Sequence, residues 1–348
     1  AREGAGFVKP GVLVGNGAFR LVAWVQGAQL DLERNRQYWN DAATRLEAVR
    51  FVTQSDENAE YQRWRSGELH VTATVPRGQF DNIRREHAAE LKLGPQLGTY
   101  YCGINLDREP FRSQPGLRRA LSLALDRERI TGSVTRVGEL PANGWVPPGT
   151  FNYTSQSFDY AGRPMAERLV EARRLYAAAG FSAARPLRFE LRYNTGDVHN
   201  RIAVAAAAMW KQALGAEVSL VVREFKVLQQ EVDAREVDLF RSSWIGDYND
   251  AYTFLQLFKG DFGLNTPHFR DARYDALLVA AAAEVDPAKR RATLEEAERV
   301  LLAAHPVIPV HFYVTKHLVS PRVQGWYDNV LNVVYSKDLA LSPAGAGP

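Results

Sequence analysis

The sequence is poor in residues that hold metals or cross-link a chain. It contains one cysteine, Cys102, among 348 residues, which excludes a disulfide within the chain and a cysteine-based zinc site. Its seven histidines are dispersed, and only His311 and His317 share one predicted strand. On a strand, six residues would separate these two side chains by about 20 Å. The sequence therefore predicts no metal site.

Templates for nucleotide binding and nucleophilic catalysis are also missing. The chain has no Gly-x-Ser-x-Gly elbow and no phosphate-binding Gly-x-x-x-x-Gly-Lys loop. Gly15 and Gly17 precede a predicted strand, whereas a dinucleotide site needs its glycines after one. Asp247 and Asp250 could serve hydrolysis, but a turn explains their spacing equally well. We therefore expect no cofactor, no catalytic residue and no enzyme activity.

Neither an excess of one charge nor a long apolar run is present. Lys and Arg number 43 against 40 Asp and Glu, with the signs interspersed, so the basic footprint of a nucleic-acid-binding protein is absent. Apolar stretches such as those at 205–208 and 279–283 fall far short of the roughly 18 residues that a membrane span needs. The first residues lack a basic start followed by an apolar segment, so we expect no signal peptide in the given chain.

What the sequence does contain is typical of a packed globular protein. Hydrophobic residues make up 46% and charged residues 24%, over a length that suggests about two domains. The first hundred residues predict strands over 19–25, 29–33 and 69–75 and a helix over 55–65. Gly27 supplies the turn of a hairpin between the first two strands. An aromatic run between glycines, at 98–105, predicts a lobe boundary near Gly98.

Helices and strands alternate in the second half of the chain. The predicted strands are 187–193, 217–223, 237–244 and 309–319, and the predicted helices are 164–179, 198–214, 225–235 and one from Asp286 to about Ala304. A further helix carries Leu117 and Leu125, with Asp126 and Arg127 near its end. Residues 141–154 predict a loop and 342–348 a disordered tail. Short links between alternating elements indicate βαβαβ units and a mainly parallel sheet.

Ligands of such sheets bind beyond the carboxyl ends of the strands, which directs attention to residues 241–250. Period-2 alternation places Arg241 and Ser243 on one face of the strand and Trp244 on the other. The functional alternative is a binding site, and the structural alternative is an aspartate that caps the turn and a tryptophan in the core. After strand 187–193, Thr195 or Asp197 is expected to cap the next helix, and His199 is either neutral or faces an anion.

Six segments carry a resemblance to a known family. They are NGAF at 16–19, LERNRQYWN at 32–40, RWRSGEL at 63–69, ALSLALDR at 120–127, YNTGDVH at 193–199 and WIGDYND at 244–250. In this order they resemble the extracytoplasmic oligopeptide-binding proteins of ABC importers, a family that includes dipeptide and murein-peptide receptors. The resemblance extends from about Gly15 to Leu341, and its specificity comes from several collinear motifs.

The resemblance implies an α/β fold with two lobes joined by two hinge strands, as in periplasmic binding proteins. The hinge strands would lie near 100–104 and 311–316. Residues 1–99 and 317–348 would form the remainder of the first lobe, and residues 100–316 the second lobe with the hinge strands. Because family members begin well upstream of Asn16, we expect an incomplete first lobe whose exposed apolar surface favours self-association.

The resemblance also implies a set of ligand-binding residues. These are Asp247, Arg241, His199, Trp244, Ser243, Ile245 and Phe225. Asp247 would pair with the peptide α-ammonium, and Arg241 and His199 would meet its carboxylate or lie near it. Ser243 and Ile245 would extend the peptide backbone as a strand. Phe225 replaces a tryptophan that lines a side-chain pocket.

Three departures from the family pattern bear on peptide length. Gly98 and Ile245 stand where some members pair two cysteines. Ser133 or Thr135 replaces a lysine that is used for longer peptides, and Val232 replaces an arginine, although Arg235 is nearby.

We therefore expect a receptor that binds short peptides and delivers them to the permease subunits of an ABC importer, in the periplasm or at the cell surface. A free peptide offers two terminal charges and a repeating backbone, so a receptor indifferent to sequence should hold the charges and pair with the backbone. The alternative is a truncated, receptor-like interaction protein that no longer encloses peptide. Nucleic acid is not an expected partner.

Overall fold

The computed structural model of the chain describes residues 6 and 8–343. Residues 344–348 of the tail that the sequence predicts to be disordered lie outside the described residues. The strands are β1 (Phe19–Val25), β2 (Gln29–Arg34), β3 (Ala48–Val52), β4 (Leu91–Ile104), β5 (Leu140–Pro141), β6 (Arg188–Asn194), β7 (Glu217–Arg223), β8 (Leu239–Ile245), β9 (Val307–Leu318), β10 (Val323–Gln324) and β11 (Ala340–Leu341). The α-helices are α1 (Glu57–Arg65), α2 (Phe80–Glu86), α3 (Pro115–Leu123), α4 (Arg127–Arg129), α5 (Met165–Ala178), α6 (Asp197–Leu214), α7 (Phe225–Asp233), α8 (Tyr252–Leu255), α9 (Ala272–Ala283) and α10 (Pro287–Ala304).

The described chain divides into two compact units. One contains the residues up to Gly94 and those from Thr315 onward, and the other is Pro95–Val314. Both boundaries fall inside strands, β4 and β9. No described helix is long and apolar enough to cross a membrane.

The first unit contains the predicted hairpin. β1, β2 and β3 form an antiparallel sheet, and Gly27 makes the turn between the first two with a φ of 75°, in the left-handed region that glycine tolerates. Asp56 caps α1 by accepting the Ala59 N–H at 2.8 Å.

The predicted strand over 69–75 is wrong. Only Val71 forms a bridge, with Val319. At the next residue the side chain takes over part of the pairing, since the Thr72 hydroxyl oxygen accepts the Leu318 N–H at 2.9 Å. The alternation of apolar residues therefore reflects burial at a single crossing and not a ladder.

The second unit is built on a six-stranded sheet with the order β5-β9-β4-β8-β6-β7. The three predicted strands are present and parallel, with β6 between β8 and β7, and α6 and α7 provide the crossovers. The sheet as a whole is mixed and not mainly parallel, because β4 pairs antiparallel with β8 and β5 pairs antiparallel with β9. The two strands that the resemblance assigns to the hinge are thus members of this sheet.

The ALSLALDR segment has a structural role that corrects one predicted boundary. Helix α3 ends at Leu123, and Asp126 begins the next helix by accepting the Arg129 N–H at 2.9 Å. Arg127 is fully buried and donates to the Pro309 carbonyl at 2.7 Å and the Ser122 carbonyl at 3.1 Å. Its guanidinium thereby satisfies carbonyls at the end of α3, where helices leave acceptors without partners.

Candidate functional site

One edge of β8 is open along most of its length. β8 pairs with β4 from end to end, whereas β6 pairs only with Leu239 and Phe240. From Arg241 to Ile245, no strand among the described residues covers the β6 side. This stretch can accept a further extended chain.

The register of β8 decides which backbone groups face this open edge. The Gly246 N–H donates to the Leu97 carbonyl at 2.8 Å, so these two residues form a hydrogen-bonded pair. Because such pairs alternate along an antiparallel ladder, Ser243 and Ile245 belong to the other class. Their N–H and C=O groups therefore turn away from β4, toward the open edge.

Arg241 lies at the start of this edge and is almost fully buried, with 9% of its surface exposed. It donates hydrogen bonds to the Asn194 side-chain oxygen at 3.0 Å, the Ser243 hydroxyl at 3.3 Å and the Tyr313 hydroxyl at 3.3 Å. The bond to Ser243 agrees with the prediction that both side chains share one face. Among the described residues, no carboxylate pairs with Arg241, and its buried Nε has no hydrogen-bond acceptor. A buried cation without an anion is costly, which makes this guanidinium a candidate anion receptor.

One aromatic ring lies against the guanidinium and is itself packed between two others. The guanidinium lies 4.7 Å from the centroid of Tyr100, whose ring stacks on His311 at 4.9 Å and contacts the His199 ring at 5.7 Å. Burial raises the pKa of the Tyr100 hydroxyl, which keeps the phenol neutral. Arg241 therefore gains a cation–π contact and no compensating charge from this wall.

His199 is half-buried in the first turn of α6, next to Tyr100. The predicted cap of this helix is wrong: Gly196 is the N-cap, and neither Thr195 nor Asp197 provides a capping hydrogen bond. Gly196 has a φ of 149°, which L-residues rarely adopt, and a Cβ there would lie 2.8 Å from His199 Cδ2. Asp197 instead forms an ion pair with Arg201 at 3.0 Å.

The two aspartates after β8 have different environments. Asp250 is structural: it accepts the Tyr252 N–H at 2.8 Å and binds Arg290 through two bonds of 2.7 and 2.9 Å. Asp247 is exposed, and its carboxylate has no hydrogen bond or ion pair within the described part of the chain. Only its backbone N–H is held, by the Thr253 hydroxyl oxygen at 3.3 Å. The capping role that spacing allowed for either aspartate thus belongs to Asp250.

The remaining predicted site residues are less closely grouped. Trp244 points to the opposite face of β8, where its indole N–H donates to the Thr253 hydroxyl at 3.4 Å. Ile245 is exposed, and its Cδ1 lies 2.5 Å from the position that a Cβ on its cross-strand partner Gly98 would occupy. Phe225 is half-exposed at the first residue of α7, and no described ring contact joins it to Arg241.

Three neighbours of Arg241 were not predicted from the sequence, and neither was His311, which stacks on one of them. The neighbours are Asn194, Tyr100 and Tyr313. His311 and Tyr313 alternate on β9, and Tyr100 lies in the aromatic run between glycines, so both segments carried a signal. The pairing of β9, β4 and β8 in one sheet, which brings them together, could not be predicted from spacing.

No group of three or more His, Cys, Asp or Glu side chains is placed to hold a metal within residues 8–343. The site described above offers a guanidinium, a carboxylate and an open strand edge. Such a set binds charged ends and a backbone.

Comparison with known proteins identifies the family. Residues 3–266 match the family described as bacterial extracellular solute-binding proteins, family 5 middle. The chain belongs to this family. The resemblance to extracytoplasmic solute-binding proteins is thereby confirmed, and a family of solute receptors agrees with the expectation that the chain is not an enzyme.

Two relatives of the family-5 chain are named for different ligands. It is 35% identical over 337 residues to the periplasmic oligopeptide-binding protein OppA of Salmonella typhimurium, covering 96% of this chain and 62% of that protein. It is 36% identical over 342 residues to the probable deoxycholate-binding periplasmic protein YgiS of Escherichia coli, covering 98% and 63%. The chain thus spans about three fifths of the length of these relatives.

Solved structures confirm the α/β fold of a periplasmic binding protein. The murein tripeptide binding protein MppA of Escherichia coli superposes with a TM-score of 0.84 at 32% identity, covering 96% of this chain and 66% of that one. OppA of Haemophilus influenzae in complex with the peptide RPPGFSPFR superposes with a TM-score of 0.82 at 32% identity, covering 98% and 67%.

Proposed function

We propose that this family-5 chain binds short peptides with free termini. The observation that carries the proposal is Arg241, a buried guanidinium without a carboxylate partner among the described residues, at the start of an open strand edge that leads to the exposed carboxylate of Asp247. A peptide supplies the anion, the cation and the backbone groups that this arrangement lacks.

The geometry favours a peptide that lies antiparallel to β8. Its carboxylate would meet Arg241, its backbone would pair with Ser243 and Ile245, and its ammonium would meet Asp247. The Arg241 guanidinium leans along the strand to Ser243, its hydrogen-bond partner. From Ser243 to Asp247, four residues of extended chain span about 13 Å. An extended tripeptide spans about 10 Å, and the hydrogen bonds at its two ends account for the remaining distance.

The residues that replace the family's contacts to longer peptides also favour a tripeptide. Thr135 and Val232 are buried, and Ser133 is exposed and uncharged, so none of them supplies a cation to the carboxylate of a longer peptide. In this proposal His199, which contacts Tyr100, lies near the carboxylate end of the peptide. Phe225 lines a side-chain pocket.

We extend the proposal to the setting of the protein. Relatives named as periplasmic favour a periplasmic location. The unit that contains the residues up to Gly94 and from Thr315 onward would correspond to the predicted lobe 1–99 with 317–348, and the unit Pro95–Val314 to the predicted lobe 100–316. Delivery to the permease subunits of an ABC importer belongs to the same proposal, and self-association stays a prediction. The names of the relatives describe ligand-binding proteins and weigh against the interaction-protein alternative.

One relative gives a second candidate ligand. YgiS carries the name of a probable deoxycholate-binding protein. A bile acid has a carboxylate for Arg241 but no ammonium for Asp247. Binding of deoxycholate that ignores Asp247 would favour this candidate over peptide.

Calorimetry with trialanine and amino-acetylated trialanine tests the proposal. Asp247→Asn should weaken binding of the free peptide by about tenfold or more, the equivalent of about 1.4 kcal/mol, because a charge-assisted hydrogen bond is lost. The acetylated peptide should bind both proteins almost equally. Deoxycholate is titrated in parallel.

The matched control is Asp271→Asn, the same chemical change at an aspartate that caps α9 by accepting the Tyr274 N–H at 2.9 Å. Because this role is structural, the variant should unfold at a lower temperature and change the affinity for both peptides alike. Equal weakening of both peptides by Asp247→Asn would show that Asp247 is structural and would contradict the proposal.

A further inference from the structure

Glu298 on α10 is a fully buried carboxylate whose partners all come from one loop. Its Oε1 accepts the N–H groups of Trp145 at 2.7 Å and Val146 at 2.9 Å. Its Oε2 accepts the Tyr153 hydroxyl at 2.5 Å and the Gln156 N–H at 3.2 Å. Among the described residues, no cation pairs with it. Four donors from residues 145–156 therefore converge on one side chain of α10.

The same loop reaches the turn that carries Asp247. The Phe151 N–H donates to the Asn249 side-chain oxygen at 2.7 Å, and Asn249 lies two residues after Asp247. On the other side of the turn, Asp250 binds Arg290 of α10. The turn is thus held to α10 twice, directly through Asp250 and indirectly through the loop.

Trp145 fixes the loop to the sheet. Its carbonyl accepts the Thr99 hydroxyl at 2.9 Å, and its indole N–H donates to the Phe254 carbonyl at 2.8 Å. Thr99 is the cross-strand partner of Trp244 on β8. The space is tight, since a Cβ on Gly144 would lie 2.0 Å from the Gln156 carbonyl oxygen. The loop therefore has little freedom to move while Glu298 holds it.

We propose that Glu298 is a positioning residue for the ammonium end of the ligand site, because it holds the 145–156 loop that in turn holds the Asp247 turn through Phe151 and Asn249. The inference rests on the proposed peptide-binding function. It assigns a role to a carboxylate that touches neither the open edge of β8 nor Asp247.

The chemistry of the four donors explains why a carboxylate is needed. Three of them are backbone N–H groups, which can only donate, so the side chain must accept on both oxygens. Glutamine keeps one acceptor but turns an NH₂ group toward the Gln156 N–H. A buried donor then faces another donor, and the loop loses part of its attachment.

The test compares Glu298→Gln with wild type. Glu298→Gln should weaken the binding of trialanine by roughly threefold to thirtyfold, which lies within the range of coupling in one hydrogen-bond network, and the binding of acetylated trialanine much less. Tyr153→Phe removes one donor and should shift the same ratio in the same direction by a smaller factor.

The matched control is Glu60→Gln. Glu60 is a buried glutamate of the first unit that accepts the Ala73 N–H at 2.6 Å, so its loss measures general destabilisation. It should lower the melting temperature and leave the ratio of the two affinities unchanged. An unchanged ratio in Glu298→Gln, with only a lower melting temperature, would overturn the inference.

Amide hydrogen exchange of the protein without peptide keeps the inference separate from the proposed function. Glu298→Gln should speed exchange at 145–156 and also at 247–250. If wild type fails to bind trialanine, the proposed function fails while this readout still decides whether Glu298 holds the turn. Faster exchange confined to 145–156 would contradict the inference.

Discussion

Replacing Arg241 should separate binding from stability. A structural arginine stabilises the fold, whereas a ligand receptor leaves its charge without a counter-ion until ligand arrives. In Arg241→Met the apolar stem is kept and the charge is removed. We expect this variant to lose peptide affinity without losing the fold.

The magnitude for the ligand-free protein follows from the contacts of the guanidinium. Three hydrogen bonds are lost, and bonds from a charged donor contribute about 1.5–3 kcal/mol each, with two of these at the low end because they are long at 3.3 Å. The contact with the Tyr100 ring adds about 1–2 kcal/mol. Against these, burying an unpaired cation costs several kcal/mol. These contributions largely offset one another, so the free energy of unfolding should fall by no more than about 2 kcal/mol.

The magnitude for binding is larger. Removing one partner of a buried charged pair costs about 2–5 kcal/mol, because the peptide carboxylate would be buried alone. Since about 1.4 kcal/mol corresponds to a factor of ten, affinity should fall roughly thirtyfold or more. Carboxy-amidated trialanine, which lacks the anion, should bind wild type and variant with similar affinity.

Urea unfolding and calorimetry together provide the assay. Arg241→Met should have a free energy of unfolding in urea close to that of the wild type, and it should lose affinity for the free peptide. A variant that unfolds several kcal/mol more easily and still binds the peptide would show that Arg241 is a structural residue, and the reasoning from its missing counter-ion would be refuted.

Two further predictions concern Glu298 and Gly98. Burial raises the pKa of Glu298 from its ordinary 4.5 to about 7; because the folded pKa is the higher one, its stabilisation is full at low pH and is lost as pH rises through 7. The free energy of unfolding of the wild type, measured in urea, should therefore fall by about 2 kcal/mol between pH 5 and 8 because of this group, and Glu298→Gln should lack that fall. An identical pH dependence in both proteins would contradict the assignment. Gly98→Ala should destabilise by about 1–3 kcal/mol, since the added Cβ would lie 2.9 Å from the Tyr313 ring and only the tip of Ile245 can move aside easily. It should also weaken free trialanine more than the amidated form, because Tyr313 holds Arg241, and unchanged urea unfolding would refute the clash.

Local signals in the sequence predicted most elements because their causes are local. Gly27 makes its turn with a positive φ, and Asp286 caps α10 by accepting two N–H groups at 2.9 and 3.0 Å. The alternation along β8 correctly placed Arg241 beside Ser243. In each case residues a few positions apart determine the result.

The predictions from the sequence were wrong or undecided where residues far away in the chain determine the structure. The strand predicted over 69–75 depends on whether β9 forms a ladder with it, and Thr72 replaces that ladder with a side-chain bond. The mixed character of the sheet depends on β4 and β9, whose pairing partners lie more than a hundred residues away. Spacing could not divide the roles of Asp247 and Asp250, because Arg290, forty residues on, selects one of them.

The division of roles after β8 has a physical reason. Asp250 and Glu298 are saturated with partners, so each has lost its capacity to bind anything else. Arg241 keeps its charge without a partner of opposite sign among the described residues, although an unpaired buried charge lowers stability. A fold selected for stability alone would neutralise it, as Arg290 neutralises Asp250. Asp250 and Glu298 hold the turn that carries the exposed Asp247, directly and through the 145–156 loop, which is the arrangement expected of a site preformed for a ligand with charges at both ends.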